Sequence, residues 1–151
     1  MKALIVHSSS PDVRKLAELM AEELQTNNIQ AQIEEVIPLK QKRLKKKEMK
    51  FKPVTFDWNG FDLVFVGVPV IGFGSSKAIN NYLRKCQNLS GRRIGLFIVC
   101  IGLHGNAVKK MTSIINFHGG KVKDYTVISS FLGLNEKKLN QAREFTQKMI
   151  K

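Results

Sequence analysis

Three consecutive serines are the residues of this sequence best suited to bind a ligand. Ser8, Ser9 and Ser10 follow a short apolar run and precede Pro11, and proline is tolerated at the first position of a helix because its missing N–H would be unpaired there. Hydroxyls and main-chain N–H groups at a helix N-terminus bind anions through hydrogen bonds and the helix dipole. The pattern predicts an anion site. The alternative is that Ser10 only caps the helix and Ser8-Ser9 is a solvated turn.

The familiar catalytic and metal-binding motifs are missing from the sequence. It contains no Ser-His-Asp set, Walker loop, G-x-G-x-x-G motif or metal-ligand spacing. The three histidines lie far apart, and Cys86 and Cys100 have neither C-x-x-C nor zinc-site spacing. We therefore expect no metal and two free, buried thiols.

Apolar runs and amphipathic stretches alternate around the serines. Runs typical of buried parallel strands cover residues 2–7, 31–37, 61–67, 93–101 and 122–129. Stretches with apolar residues at helical spacing begin at Ser10, at Ser75 or Ser76, near Ala107 and at Asn135. This alternation predicts an α/β fold, a parallel sheet with helices on both faces, in a single domain over residues 1–151.

The segment 38–60 interrupts the alternation with a run of positive charge. A helix is expected between the second and third strands, and the lysine run predicts either one short helix or a mobile loop. Lys40–Lys52 holds eight Lys or Arg residues against Glu48, more than half of the net charge of +13. Such a run attracts anions at long range, so nucleic acid or an anionic membrane surface are candidate partners. A solvated charged face is the alternative, and the run has only one aromatic, Phe51, for stacking on bases.

Loops at the carboxyl ends of the strands are the expected ligand site. In a doubly wound sheet, ligands bind beyond these ends at the switch point in strand order. Here the loops are residues 7–13, 67–74 and 100–106.

These three regions resemble parts of a flavodoxin. Met1–Leu16 is similar to the family's first strand, its hydroxyl-rich phosphate loop and the helix after it. Phe61–Val70 resembles the third strand with a Gly-x-Pro turn at Gly67–Pro69, and Ile94–Gly105 resembles the fourth strand and its glycine-containing loop. The resemblance implies a flavodoxin-like three-layer sandwich, with a five-stranded parallel sheet in the order 2-1-3-4-5, that binds FMN.

The resemblance also implies which residues contact the cofactor. The serine loop would hold the phosphate, and the other two loops would cover the ring. The expected cofactor-binding residues are Ser8, Ser9, Ser10, Asp12, Val13, Pro69, Val70, Ile71, Gly72, Phe73, Ile101, Gly102, Leu103 and His104.

The sequence departs from the family at several of these positions. Pro11 and Val13 each remove a donor that the family usually has, and no tyrosine occurs in the third loop. Phe73 is either a ring contact or a core-facing residue, and His104 either donates to the flavin or is an exposed turn histidine.

The apolar start at Met1–Val6 is too short for a signal-peptide core, and the longest apolar stretch, residues 63–74, is broken by Pro69 and too short for a membrane helix, so we expect a cytoplasmic location. The resemblance implies an FMN-binding electron-transfer protein. Its opposite charge to the acidic flavodoxins implies an acidic redox partner, since complementary charge speeds encounter. One alternative is an FMN-dependent quinone or NAD(P)H reductase. Another is a flavin-free module of the same fold that binds an anionic partner through Lys40–Lys52.

Overall fold

The computed structural model of the chain describes residues 1–40, 49–70 and 76–151. In these residues five strands alternate with four helices. The strands are β1 (Lys2–Ser8), β2 (Gln30–Val36), β3 (Leu63–Val70), β4 (Arg93–Cys100) and β5 (Val122–Ser129). The helices are α1 (Pro11–Thr26), α2 (Lys77–Lys85), α3 (Ala107–Phe117) and α4 (Glu136–Ile150).

The strands form one parallel sheet in the order β2-β1-β3-β4-β5. The predicted α/β class and the strand order implied by the resemblance are therefore confirmed. His7 of β1 lies opposite Glu35 of β2 and Gly67 of β3. Gly67 in turn lies opposite Phe97 of β4. The carboxyl ends of β1, β3 and β4 are thus neighbours at one edge of the sheet, as the predicted site requires.

Helices cover both faces of the sheet, so the strands are apolar on both sides. On one face α1 and α4 pack on the sheet through residues such as Leu16 and Phe145. On the other face α2 and α3 do so through residues such as Ile79 and Met111. The result is the predicted three-layer sandwich with a separate apolar core on each side of the sheet. None of the described helices is long and apolar enough to cross a membrane.

Most of the predicted element boundaries hold within a residue or two, but the end of β3 does not. The sequence predicted a strand that ends at Gly67, and the resemblance implied a turn at Gly67–Pro69, whereas β3 continues to Val70. Beyond Gly67 the strand pairs with β4 but no longer with β1. Pro69 therefore lies where β3 has a neighbour on one side only, and such a position tolerates a residue without an N–H.

The segment between β2 and β3 contains no helix in its described parts, residues 37–40 and 49–62. The residues on the two sides of 41–48 lie next to each other: Leu39 N–H donates to Lys50 O and Lys52 N–H donates to Ile37 O. Trp58 is fully buried against α2, where its Nε1 donates to the Tyr82 hydroxyl at 3.2 Å. Aromatic packing thus holds residues 49–62 of the described part against α2. The predicted lysine helix or loop falls mainly on residues 41–48, which lie outside the described residues.

Candidate functional site

The serine loop joins β1 to α1 and presents hydroxyls that the helix does not use. Ser10 is in the N-cap position of α1 with an extended backbone, but among the described residues its side chain makes no capping hydrogen bond. The simpler prediction that the Ser10 hydroxyl caps the helix is therefore wrong. Ser8 is 6% exposed, and its Oγ has no hydrogen-bond partner in the described part of the chain. A buried hydroxyl without a partner is unfavourable, so a phosphate that accepts from Ser8 and Ser10 fits this loop.

The first turn of α1 adds main-chain donors but few side chains. Arg14 N–H already donates to Ser10 O, and Pro11 has no N–H, which leaves the N–H groups of Asp12 and Val13 without a carbonyl inside the helix. The Val13 side chain is fully buried in the core beneath α1. Val13 can therefore contribute only its N–H to a ligand, while the half-buried Asp12 adds a negative charge beside it.

An ion pair that the sequence did not indicate lies beside the serine loop. Arg14 Nη2 contacts Glu35 Oε1 at 2.5 Å, and the Ser9 side chain also lies near this carboxylate. The hydrogen bond from Arg14 holds the pKa of Glu35 below its usual value, and Glu35 raises the pKa of Arg14. The sequence did not indicate Glu35, because this residue becomes a neighbour of the loop only through the pairing of β1 with β2.

The loop after β3 is described only in part. Pro69 is half-buried at the end of β3, and Val70 is buried in the core beneath α2. Ile71, Gly72 and Phe73 lie outside the described residues, so their predicted contacts with a ring stay predictions.

The loop after β4 exposes apolar side chains, as the predicted ring contact requires. Ile101 and Leu103 are 60% and 69% exposed. Gly102 adopts a φ of +85° between them, a conformation that disfavours any side chain. His104 is half-buried, and its Nδ1 has no hydrogen-bond partner among the described residues. His104 is therefore not simply an exposed turn histidine.

A groove with a volume of about 760 Å³ runs from His104 along α3 and β5. Its lining includes Lys109, Lys123 and Tyr125. No serine of the β1–α1 loop belongs to it.

The loop after β5 brings two further apolar residues to the same edge of the sheet. Phe131 and Leu132 are 62% and 89% exposed. Ser130 N–H donates to Cys100 O at 2.8 Å, which ties this loop to the end of β4. Lys138 Nζ donates to the carbonyls of Phe131 and Gly133 at 2.6 and 2.9 Å. The sequence offered one indication of this feature: Phe131 and Leu132 are an apolar pair between β5 and the Asn135 cap, where polar residues are usual.

The two cysteines lie in the core, and Cys100 ends β4, where its thiol donates to Gly102 O at 3.4 Å. Both are free and buried, which confirms the prediction for them. Burial raises the pKa of Cys86 to about 12 and also raises that of Cys100. Within residues 1–40, 49–70 and 76–151, no group of three or more His, Cys, Asp or Glu side chains could hold a metal ion.

Comparison with solved structures shows which known proteins share this architecture. The Streptococcus pneumoniae TIGR4 flavodoxin superposes with a TM-score of 0.72 at 15% identity, over 99% of this chain and 98% of that one. Oxidised flavodoxin 2 from Bacillus cereus gives 0.72 at 14% identity over 99% and 98%. A proposed quinone reductase from Klebsiella pneumoniae gives 0.61 at 11% identity over 99% and 83%. No protein-family model and no curated protein matches the chain.

These likenesses establish that the chain has the flavodoxin-like fold. At identities of 11–15% they leave the ligand to be argued from the residues of the site.

Proposed function

We propose that this chain binds FMN at the carboxyl ends of β1, β3 and β4 and carries electrons between other proteins. The observation that supports this most is the serine loop, where a buried Ser8 hydroxyl without a described partner and a Ser10 hydroxyl not used for capping precede the N-terminus of α1. A phosphate group would satisfy these donors and interact favourably with the helix dipole. The flavodoxin-like fold is consistent with this ligand.

Each loop has a defined part in holding the cofactor. The hydroxyls of Ser8, Ser9 and Ser10 and the N–H groups of Asp12 and Val13 would bind the phosphate. The ring would lie between the loop after β3, with Pro69–Phe73, and the loop after β4, with Ile101–His104. The exposed apolar side chains Ile101 and Leu103 would exclude water from it. Bound FMN supplies the capacity to take up and release electrons, which no side chain of the chain provides.

The first prediction concerns this flavin site. Ser10→Ala combined with Phe73→Ala should weaken FMN affinity at least tenfold, because charge-assisted phosphate hydrogen bonds and aromatic contacts are each worth about 1 kcal/mol or more. The measurement is a fluorescence titration of the flavin-free protein with FMN and with riboflavin. The parent should prefer FMN, since only FMN carries the phosphate.

The matched control replaces a serine and a phenylalanine outside the predicted site. Ser90 is exposed in the turn before β4, and Phe117 is 87% exposed at the end of α3. Ser90→Ala with Phe117→Ala should keep the FMN affinity of the parent. Equal FMN affinity in the parent and the Ser10→Ala, Phe73→Ala variant, with unchanged far-UV circular dichroism, would show that the site assignment is wrong.

The groove beside His104 supports a second candidate, an FMN-dependent quinone or NAD(P)H reductase. Such an enzyme needs a pocket for an organic substrate next to the flavin, and the 760 Å³ groove begins at His104 in the loop after β4. Steady turnover of NAD(P)H and a quinone by the flavin-loaded protein would favour the reductase. Rapid single electron exchange without turnover would favour the carrier.

We further propose that the carrier docks on an acidic partner through Lys40–Lys52. The net charge of +13 and the excess of bases in this run favour encounter with an acidic surface. The cytoplasmic location predicted from the sequence stays a prediction.

The second prediction tests the charge of this run. Lys45→Gln, Lys46→Gln and Lys47→Gln together should slow association with an immobilised polyglutamate probe about tenfold at low salt, because steering depends on local charge. The control removes three exposed lysines elsewhere: Lys110→Gln, Lys121→Gln and Lys137→Gln. Equal effects of both triple variants would contradict a specific role for the run. If the flavin-free protein binds single-stranded DNA more tightly than polyglutamate, and in a salt-dependent way, the result would instead favour the flavin-free module.

A further inference from the structure

Two donor groups beside the serine loop lie close to one anionic group of the chain itself. The Glu35 carboxylate accepts from Arg14 Nη2 at 2.5 Å, and the Ser9 side chain lies near the same carboxylate. The Glu35 side chain is 21% exposed and that of Arg14 52% exposed, so water and a solute can reach the pair. Both donors flank the N-terminus of α1.

Guanidinium groups and hydroxyls are also the donors that proteins use for phosphate. Arginine binds carboxylates and phosphates alike through parallel N–H bonds. A separate observation at the base of the same loop also points to an external acceptor: the Ser8 hydroxyl, in a residue 6% exposed, has no partner among the described residues. Glu35 pairs with Arg14 but leaves Ser8 without a partner among the described residues.

We propose that Glu35 holds the Arg14 guanidinium in the flavin-free protein and that Arg14 passes from Glu35 to the phosphate when FMN binds. Arg14 is then a phosphate ligand, and Glu35 is a built-in competitor that lowers FMN affinity. The proposal rests on the proposed FMN site and names the residues that regulate it.

The charges around the loop favour an exchange over joint occupancy. Two carboxylates, Asp12 and Glu35, already lie beside the first turn of α1, and Glu18 also acts on Arg14. A phosphate beside an unmoved Glu35 would place two anions against the single guanidinium of Arg14. His7 also lies near Glu35. Like charges at hydrogen-bonding distance repel strongly, so phosphate binding requires Glu35 to release Arg14.

The third prediction follows from the exchange. Glu35→Gln should raise FMN affinity about tenfold, because the competing charge is lost, and Arg14→Met should lower it about tenfold, the ratio expected for one charge-assisted hydrogen bond. Riboflavin affinity should change less than about twofold in both variants, since riboflavin has no phosphate. The affinity for inorganic phosphate should also rise in Glu35→Gln and fall in Arg14→Met. It is measured by the shift that phosphate causes in the thermal unfolding temperature.

A pair at the other end of the sheet provides matched controls. Lys148 Nζ contacts Asp124 Oδ2 at 2.9 Å, with side-chain exposures of 73% and 27%. Asp124→Asn and Lys148→Met therefore repeat the two charge changes away from the loop. Both should leave FMN affinity within about twofold of the parent, as expected for exposed charges screened by salt.

The outcomes separate this proposal from the proposed function. If the parent binds FMN and neither Glu35→Gln nor Arg14→Met changes that affinity, the exchange is wrong and the FMN site stands. If Glu35→Gln weakens FMN binding, Glu35 positions Arg14 and does not compete with phosphate, which also overturns the exchange. If the parent ignores both flavins but Glu35→Gln binds inorganic phosphate more tightly than the parent, the FMN proposal fails and the anion exchange stands.

Discussion

Replacing Gly67 with alanine should destabilise the protein by about 3 kcal/mol, at the upper end of the range for overpacking a core. A Cβ at Gly67 would lie 2.1 Å from Cζ of Phe97, the residue opposite on β4. Phe97 is fully buried in the core beneath α1, so its rigid ring has no free space into which to move. Thermal unfolding should show Tm lowered by roughly 10 °C for a chain of this size.

The cause of this loss can be tested with a second substitution. Phe97→Leu removes the ring that meets the new methyl group, so the double variant Gly67→Ala, Phe97→Leu should lose less stability than the two single changes added together. Gly95→Ala is the matched control on β4, because its Cβ would meet Phe145 and the flexible end of Met149 at 3.0–3.2 Å. Its effect should stay below about 1 kcal/mol. Strict additivity of Gly67→Ala and Phe97→Leu would refute steric conflict as the cause.

Gly67 also shows why part of the sequence analysis was wrong. The sequence predicted a strand that ends at Gly67, and the resemblance to flavodoxins implied a Gly-x-Pro turn there. In the structure Gly67 is a strand residue whose missing side chain makes room for the Phe97 ring. Which residue lies opposite Gly67 depends on the register of β3 and β4, and the local sequence does not contain that register.

The layers of the fold were predictable because their signals are local. Apolar runs such as Leu63–Val66 and helical stripes such as that of Leu16 and Met20 became buried strands and helices. The packing of the segment after β2 was predictable in part, because Phe56 and Trp58 indicate that the segment packs onto the sheet. Their partner, Tyr82 of α2, is 26 and 24 positions away in the sequence, and local patterns do not reveal that contact.

The candidate site was likewise predictable only where its residues are neighbours in the sequence. The serine loop was visible because strand, hydroxyls and helix start are consecutive in the sequence. Arg14 and Glu35 are 21 residues apart and meet only because β2 pairs beside β1. Phe131 and Leu132 reach the edge of the site because Ser130 is bonded to the end of β4, which no short-range pattern reveals.

Removing the Trp58 side chain should have an effect as large as Gly67→Ala. Trp58 is fully buried, and truncating a buried aromatic to alanine costs about 3–5 kcal/mol. It is the only tryptophan of the chain, so unfolding of Trp58→Ala is followed by circular dichroism in urea. Phe117→Ala, at an exposed position, should change stability by less than about 0.5 kcal/mol. A similarly small loss for Trp58→Ala would mean that the segment 49–62 contributes little to the core.

The hydrogen bonds of Tyr82 separate packing from polar contacts in this anchor. The Tyr82 hydroxyl donates to Thr55 O at 2.6 Å and accepts from Trp58 Nε1 at 3.2 Å. Tyr82→Phe leaves both groups unsatisfied and should cost about 2 kcal/mol, which is typical for orphaned buried polar groups. Trp58→Phe in the same background removes one of the orphaned groups, so the double variant should be more stable than the sum of the single losses predicts. Additive losses would mean that packing alone holds residues 49–62 against α2.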